Sequence, residues 1–342
     1  MPAITASKAE KQKFTKADFQ SNQEVRWCPG CGDYAILTGA LQVFAGLGIP
    51  RENFVMVSGI GCSSRFPYYV NTYGFHTIHG RAPAVATGVK LANPELQVWV
   101  ITGDGDGMSI GGNHLMHALR RNLDIKILMF NNRIYGLTKG QYSPTSEYGK
   151  VTKSTPFGSV DQPVNPVSFA LASEATFVAR TADIYLPHLQ SVLNRAAEHK
   201  GVAFIEILQN CVIFNDGAFK DVTERSIRDD ENVLLEDGKP MIFGKGRKKG
   251  LRLKGLSVES VELGQDGVTE KDLLVHDQRA EDQTLAYMLS RLDHPTVMGI
   301  FRDVTRPSFE RRAHEQVQNA KERYGEGDLL DLIRGKETWT IK

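Results

Sequence analysis

The feature that most constrains the fold of this chain is a regular alternation of short apolar runs with segments of helical spacing. The apolar runs, four to six residues each, cover residues 54–57, 98–102, 125–130, 176–179 and 203–208. Apolar residues recur at helical spacing in residues 33–47, 82–91, 113–121 and 186–199. Short, mainly apolar runs are typical of strands that are covered on both faces. The pattern predicts an α/β fold with a mostly parallel sheet flanked by helices.

The alternation stops near residue 212, which predicts three parts of the chain. We expect an N-terminal extension at residues 1–23, a main domain at 24–214, and a C-terminal extension or arm at 215–342. The third part is rich in charge and glycine, and helical spacing returns only in its second half. Six of the ten residues at 245–254 are basic and an acidic stretch follows, which favours a solvated loop or hairpin.

Charge and hydropathy exclude several classes of function. The net charge of +1 is too small a surplus to hold a nucleic acid through its phosphates. The most apolar stretch, residues 35–49, contains Thr38, Gln42 and three glycines, so it falls short of the roughly 20 apolar residues of a membrane span. No apolar segment follows the N-terminal lysines, so nothing marks the chain for export. We expect no nucleic acid and no membrane as partners, and a reducing cytoplasm as the location.

Two strand ends carry residues typical of a metal and diphosphate site. The run at 98–102 leads into Gly103, Asp104, Gly105 and Asp106, and the run at 125–130 leads into Asn131 and Asn132. The carboxyl ends of neighbouring parallel strands meet at one edge of a sheet, so an aspartate and an amide are expected to lie close together there. Glycines let the backbone approach a phosphate, and carboxylate, amide and carbonyl oxygens suit octahedral Mg²⁺. The sequence predicts Mg²⁺ shared with a diphosphate; the alternative is a strand-end turn and an unrelated asparagine pair.

The four cysteines of the chain form a second constellation, because they are too few for a disulfide scaffold at this length. Cys28 and Cys31 flank a Pro-Gly pair, whereas Cys62 and Cys211 each follow an apolar run. Four thiolates in these places could close around a [4Fe–4S] cluster or a structural Zn²⁺. Spacing alone does not separate these two, and inert thiols are a third interpretation.

The Gly-Asp-Gly segment and the asparagine pair together resemble the signature of the thiamine diphosphate (ThDP) enzymes. That resemblance implies that Asp104 and Asn132 bind Mg²⁺ through their side chains and Ile134 through its main-chain carbonyl. Six features in order, CPGCG, IGCSS, HGR, GDGD, NNRIYGLTKGQ and a late cysteine, resemble the β subunits of the 2-oxoacid:ferredoxin oxidoreductases. This second resemblance covers residues 24–216. It implies a [4Fe–4S] cluster close to ThDP, held by Cys28, Cys31, Cys62 and Cys211.

The same resemblance implies cofactor contacts in four short segments. They are Ile60, Gly61, Cys62 and Ser63; His79, Gly80, Arg81 and Ala82; Gly103, Asp104, Gly105 and Asp106; and Gly136 and Leu137. An ordinary core position is the alternative for His79. Arg65 stands where the family often has a basic residue for the anionic substrate or coenzyme A, with a surface ion pair as the alternative. His114 and His117 are expected to be structural.

The activity implied by the resemblance is the reversible, CoA-dependent oxidative decarboxylation of a 2-oxoacid to an acyl-CoA, with electrons passed to ferredoxin. The FNDGAF and HDQRAED segments resemble the 2-oxoglutarate members more than the shorter pyruvate ones, which implies succinyl-CoA as the product. Pyruvate or another 2-oxoacid is the alternative substrate. Two other classes stay open: a non-oxidative ThDP decarboxylase or synthase half with structural cysteines, and a non-enzymatic Fe–S or zinc module.

The chain contains one Gly-Asp-Gly and asparagine-pair unit, and no second α/β pattern follows Cys211. The resemblance therefore implies an α subunit that supplies the glutamate needed to activate ThDP and most of the oxoacid contacts. An (αβ)₂ assembly is expected. The basic run at residues 245–254 is expected to meet an acidic ferredoxin, because charge complementarity accelerates encounter.

Overall fold

The structure, a computed structural model, describes residues 13–339 and residue 341 of the chain. Its strands are β1 (Phe54–Ser58), β2 (Tyr73–His76), β3 (Gln97–Gly103), β4 (Ile125–Asn131), β5 (Phe177–Ala182), β6 (Ala203–Leu208), β7 (Asn232–Leu234), β8 (Ile242–Phe243), β9 (Lys249–Lys254), β10 (Ser257–Glu262) and β11 (Thr296–Asp303). Its helices are α1 (Lys16–Phe19), α2 (Asp33–Leu47), α3 (Phe66–Tyr69), α4 (Ala82–Ala92), α5 (Asp104–Met108), α6 (Gly112–Arg121), α7 (Pro166–Ala172), α8 (Leu186–Glu198), α9 (Lys220–Thr223), α10 (Arg228–Glu231), α11 (Thr284–Ser290), α12 (Phe309–Tyr324) and α13 (Leu329–Arg334).

Eight of these strands form one sheet in the order β2-β1-β3-β4-β6-β5-β11-β7. Neighbours from β2 through β5 are all parallel. β11 then runs antiparallel to β5, and β7 lies parallel to β11 at the edge. A second sheet is antiparallel and has the order β10-β9-β8. The predicted α/β fold with a mostly parallel sheet is confirmed.

The central sheet is covered on both faces, as its apolar strands predict. Phe54 of β1 joins the core on the side of α2 and α8, whereas the adjacent Val55 joins the core on the side of α4 and α6. All seven residues of β4 are buried. Because helices occupy both faces, ligands can approach these strands only at their ends.

The five predicted strands are present as β1, β3, β4, β5 and β6, and the four predicted helices as α2, α4, α6 and α8. The observed ends of these elements differ from the predicted ends by at most three residues. One difference affects the site: the expected glycine-rich turn after β3 is itself helical, since α5 begins at Asp104. The edge strand β2 was missed because all four of its residues are exposed, so it carries no buried apolar run.

The segment predicted as a C-terminal extension contributes to the main sheet through β7 and β11. The apolar pattern did not predict β11 because Gly299 and Arg302 interrupt it. Only α12 and α13, beyond this strand, resemble the expected arm, with Glu310 their single buried side chain. No helix in residues 13–339 combines the length and the apolar character needed to cross a bilayer.

β9 and β10 form a hairpin that sets the basic run against the acidic stretch. Three of the six basic residues lie near carboxylates: Arg252 at 2.7 Å and Lys254 at 3.2 Å from Glu259, and Lys249 at 3.8 Å from Asp230. The other three, Lys245, Arg247 and Lys248, are exposed. About half of the positive charge that the sequence offers to a partner is therefore neutralised within the chain.

Candidate functional site

Two adjoining cavities lie at the edge of the sheet where β1, β3, β4 and β6 end. The Asp104 cavity is lined by the predicted residues Ile60, Gly61, Cys62, Ser63, His79, Gly103, Asp104, Gly105, Asp106, Asn132, Ile134, Gly136 and Leu137. The cysteine cavity is lined by Cys28, Cys31, Cys62, Cys211 and Arg65, among others. The two share Asp33, Cys62, Asn132, Gly136 and Leu137. The structure thus brings the two predicted constellations into contact with each other.

Asp104 lines the first cavity directly after β3 and is only 2% exposed. Its Oδ2 accepts hydrogen bonds from Ser143 Oγ at 2.5 Å and from Thr145 Oγ1 at 2.6 Å. Burial raises the pKa of this carboxyl, and the two hydroxyl groups oppose the rise. A bound cation would favour the charged carboxylate, so the site suits a divalent ion with oxygen ligands.

The two adjacent asparagines after β4 have different surroundings. Asn132 lines both cavities, and its Oδ1 accepts from the backbone N–H of Ile134 at 3.2 Å. Asn131 is buried and donates through Nδ2 to Glu206 at 2.6 Å. Arg133 between Asn132 and Ile134 has a φ of 56°, a left-handed turn that reverses the chain at the cavity wall. Of the pair, Asn132 is the one placed to contact a ligand in the Asp104 cavity.

Asp106 connects the loops that form the Asp104 cavity. Its Oδ1 accepts from the backbone N–H of Ile60 at 3.1 Å and of Gly80 at 2.8 Å, and its Oδ2 accepts from Thr102 Oγ1 at 2.7 Å. His79 Nδ1 lies 2.6 Å from the same Oδ1. These contacts engage both carboxylate oxygens with the protein itself, so Asp106 holds the loops together.

Three residues predicted to touch the cofactor do not line either cavity. Gly80 has a φ of 70°, and a Cβ there would lie 2.5 Å from the backbone nitrogen of Gly111, so only glycine fits. Ala82 is fully buried at the start of α4, and Arg81 donates to the carbonyl of His79 at 3.1 Å. A direct cofactor contact by these three residues remains a prediction.

The remaining wall of the Asp104 cavity suits a diphosphate. Ser63 Oγ is buried and has no hydrogen-bond partner among the described residues, so it is free to donate to a ligand oxygen. A Cβ on Gly103 would lie 3.6 Å from this oxygen. A Cβ on Gly105 would lie 2.2 Å from the ring of Tyr135, whose hydroxyl donates to the carbonyl of Gly105 at 2.9 Å. Gly103 and Gly105 therefore present backbone without a side chain to the cavity, beside the unpaired hydroxyl of Ser63.

The cysteine cavity has a volume of about 260 Å³ and is lined by all four cysteines of the chain, none of them in a disulfide. A Cβ on Gly136 would lie 3.6 Å from Cys211 Sγ and 3.7 Å from Cys62 Sγ, so Gly136 lies in contact range of both sulfurs. Burial raises the pKa of Cys31, and raises that of Cys62 to about 11. Thiolates at these positions would require a metal centre to stabilise them. Among the described residues, no three His, Cys, Asp or Glu side chains form a group suited to hold a metal ion.

The sequence analysis missed several residues of the site, namely Asp33, Tyr135, Ser143, Thr145 and Gln209. Burial raises the pKa of Asp33 to about 7, and the neighbouring Asp183 adds to the rise. Asp33 directly follows the CPGCG motif, and that position was a usable signal. Ser143 and Thr145 lie 39 and 41 residues from Asp104 in a polar loop, where no local pattern marks them.

The fold and the Asp104 cavity define the class of the protein. Residues 59–207 match the family described as thiamine pyrophosphate enzyme, C-terminal TPP binding domain. This match supports ThDP as the cofactor of the chain.

Comparison with three relatives identifies the family of this chain within the ThDP class. The 2-oxoglutarate oxidoreductase subunit KorB of Mycobacterium tuberculosis is 53% identical over 95% of this chain and 88% of its own length. The 2-oxoglutarate synthase subunit KorB of Methanocaldococcus jannaschii is 34% identical over 86% of this chain and 93% of its own. The structure of 2-oxoglutarate:ferredoxin oxidoreductase from Magnetococcus marinus with 2-oxoglutarate, coenzyme A and succinyl-CoA bound is 32% identical, with a TM-score of 0.75 over 97% of this chain and 98% of that chain. The chain belongs to the 2-oxoglutarate:ferredoxin oxidoreductase β subunits, and the resemblance found in its motifs is confirmed.

Proposed function

We propose that this β subunit catalyses, with an α subunit, the reversible CoA-dependent oxidative decarboxylation of 2-oxoglutarate to succinyl-CoA and CO₂. Electrons leave through a [4Fe–4S] cluster to ferredoxin. The observation that carries the proposal is the contact between the two cavities, which share Cys62 and Gly136. A cofactor in one cavity would lie beside an electron acceptor in the other. The names of the two KorB relatives support the substrate, and the 2-oxoglutarate, coenzyme A and succinyl-CoA bound to the Magnetococcus marinus enzyme support both substrate and product.

The Asp104 cavity fits Mg²⁺ and the diphosphate of ThDP. Asp104 and Asn132 would hold the ion through side-chain oxygens and Ile134 through its carbonyl, which are the hard ligands that Mg²⁺ prefers. Ser63 would donate its unpaired hydroxyl to a phosphate oxygen. ThDP, when bound, supplies the carbanion that attacks the 2-oxo carbon and takes up the electron pair left by CO₂. The protein contributes the orientation of that cofactor, through the loops that Asp106 ties together.

The cysteine cavity fits a [4Fe–4S] cluster. Four thiolates are the ligand set of such a cluster, and the four cysteines line one cavity. A single Zn²⁺ ion binds each of its four sulfur ligands at about 2.3 Å, and it cannot accept or donate electrons in the reaction. A cluster held by Cys28, Cys31, Cys62 and Cys211 would supply one-electron transfer between the oxidation and ferredoxin.

Three basic side chains line the cysteine cavity. Arg26, Arg65 and Lys139 line it beside the four cysteines. Arg65 is exposed, so its guanidinium can meet a carboxylate or phosphate that arrives from solution. We propose that Arg65 contacts the anionic substrate or coenzyme A.

The α subunit is proposed to cover the Asp104 cavity, in an (αβ)₂ assembly. Ile78, Ile110 and Leu137 are large exposed apolar side chains: Leu137 lines the cavity, Ile78 precedes the lining residue His79, and the backbone of Ile110 lies against Gly80. Exposed apolar groups clustered around a site are typical of a surface that a partner covers. The partner would supply the glutamate that activates ThDP and most contacts to the oxoacid.

The isolated chain is expected to retain iron but to show no 2-oxoglutarate-dependent reduction of a viologen dye. Adding the α subunit under anaerobic conditions should restore the reaction, because the missing glutamate is then present. Iron, zinc and acid-labile sulfide analysis with a visible spectrum accompanies the assay. Stoichiometric zinc without sulfide would contradict the cluster, and full turnover by the isolated chain would contradict the need for a partner.

Thr145→Ala is expected to weaken Mg²⁺ binding by about 10- to 100-fold, the usual cost of losing a group that orients a metal ligand. Thr145 Oγ1 donates its one proton to Asp104 Oδ2 at 2.6 Å and lies 2.9 Å from a second acceptor, Asn131 Oδ1. Titration of ThDP binding against Mg²⁺ measures the effect. Thr152→Ala, in the same polar loop, is the control; equal affinities for the two variants would show that Thr145 does not position Asp104.

Reversal of Lys245, Arg247 and Lys248 to glutamate is expected to slow ferredoxin reduction about tenfold at low ionic strength, and less in high salt. These three basic residues are exposed, whereas Lys249, Arg252 and Lys254 lie close to carboxylates. The rate of ferredoxin reduction by the αβ complex as a function of salt measures the effect. The matched control reverses Arg312, Lys321 and Arg323 on α12. The same slowing at every salt concentration would count against steering by this surface.

A further inference from the structure

We infer that Gln209 is a positioning residue of the cluster that raises its reduction potential, by donating a hydrogen bond to the sulfur of Cys31. This inference rests on the proposed [4Fe–4S] cluster. Gln209 Nε2 lies 3.2 Å from Cys31 Sγ, within the range of an N–H donor to sulfur. In residues 13–339, it is the one side-chain nitrogen that donates to a cysteine sulfur.

The amide of Gln209 is held in the orientation that this bond requires. The same Nε2 donates to the carbonyl of Asn210 at 2.7 Å, whereas Oε1 has no partner among the described residues. The opposite orientation would turn Oε1 towards two acceptors, the sulfur and the carbonyl. Gln209 is 1% exposed, so water does not compete for its N–H groups.

The backbone around Gln209 makes the placement rigid. Gln209 follows β6, and its N–H donates to the carbonyl of Asn131 at 2.8 Å, extending the pairing of β6 with β4. A Cβ on Gly32, next to Cys31, would lie 3.0 Å from Gln209 Cγ. The Gln209 side chain therefore lies close against Gly32, the residue next to Cys31.

A hydrogen bond to a cluster sulfur stabilises the more negative, reduced state, because it places a partial positive charge where electron density increases. Reduction transfers one electron to the cluster and breaks no bond. The N–H of Gln209 remains on its nitrogen throughout. The expected consequence is a cluster that is more easily reduced than it would be without the amide.

Gln209→Met tests the inference, since methionine has a similar length and no N–H to donate. In the αβ complex at fixed pH, an EPR-monitored redox titration should show a lower potential for Gln209→Met than for the unchanged protein. Gln318→Met, on the exposed part of α12, should leave the potential unchanged. A fully loaded Gln209→Met cluster with an unchanged potential would overturn the inference.

A measurement on the unchanged protein covers the case in which Gln209→Met does not assemble its cluster. Pulsed EPR of the reduced protein, with ¹⁵N in its glutamine side-chain amides, should show a ¹⁵N coupling to the cluster. No such coupling in a loaded cluster would overturn the role of Gln209 while leaving the proposed function intact. Zinc in place of iron in the unchanged protein would overturn the proposed function, and this inference with it.

Discussion

Asp104→Asn is expected to reduce Mg²⁺-dependent binding of ThDP by more than about 100-fold, beyond the cost of losing a group that merely orients a ligand. Asp104 supplies the charged protein oxygen proposed for the ion, and the substitution removes that charge. Asparagine keeps a side-chain oxygen that can still accept from Ser143 and Thr145, so the fold around it should persist. Calorimetric titration of ThDP at several Mg²⁺ concentrations measures the loss.

Asp161→Asn provides the matched control for this experiment. Asp161 is exposed and accepts from Tyr142 Oη at 2.7 Å, so its loss changes the charge of the chain equally without touching the Asp104 cavity. Unchanged, Mg²⁺-dependent binding of ThDP in Asp104→Asn would place the metal elsewhere in the protein.

Cys211→Ser is expected to lower the iron content at least about tenfold and to abolish electron transfer to ferredoxin. Cys211 lines the cysteine cavity three residues beyond the end of β6, and the chain has no fifth cysteine to replace it. Serine is a poorer ligand for iron because its hydroxyl resists deprotonation. Iron and sulfide analysis and the visible spectrum of anaerobically purified protein measure the loss.

Val212→Ser controls for the hydroxyl group introduced next to the cluster. Val212 also lines the cysteine cavity, so this variant adds the same polar group without removing a sulfur. It should keep its iron. If Cys211→Ser retains iron and sulfide at the level of Val212→Ser, Cys211 is not a ligand.

Much of the site could be predicted from sequence because its residues directly follow strands. An apolar run identifies a strand without any knowledge of its neighbours, and parallel strands bring their carboxyl ends to one edge. Asp104 and Asn132 therefore belonged together as soon as the runs at 98–102 and 125–130 were taken as strands. Cys62 and Cys211 were placed by the same argument, and the structure brings both to the cysteine cavity.

Other parts of the site depend on contacts between residues far apart in the chain. Asn131 and Asn132 have the same side chain; the resemblance assigns Asn132 to the metal, and the hydrogen bond from Asn131 to Glu206, 75 residues away, gives the physical reason. The engagement of both Asp106 oxygens with Ile60, Gly80 and Thr102 likewise appears only when the loops meet.

The sequence by itself determined the α/β class, the edge of the sheet where the candidate site lies, and the residue types gathered there. Hydrophobic periodicity and strand-end position are local properties, so they are visible in the chain as written. Only the tertiary structure decided that β11 closes the sheet in an antiparallel direction, that Ser143 and Thr145 contact Asp104, and that Gln209 reaches Cys31. Hydrogen bonds between distant residues depend on the packing of whole elements, and no period in the sequence encodes them.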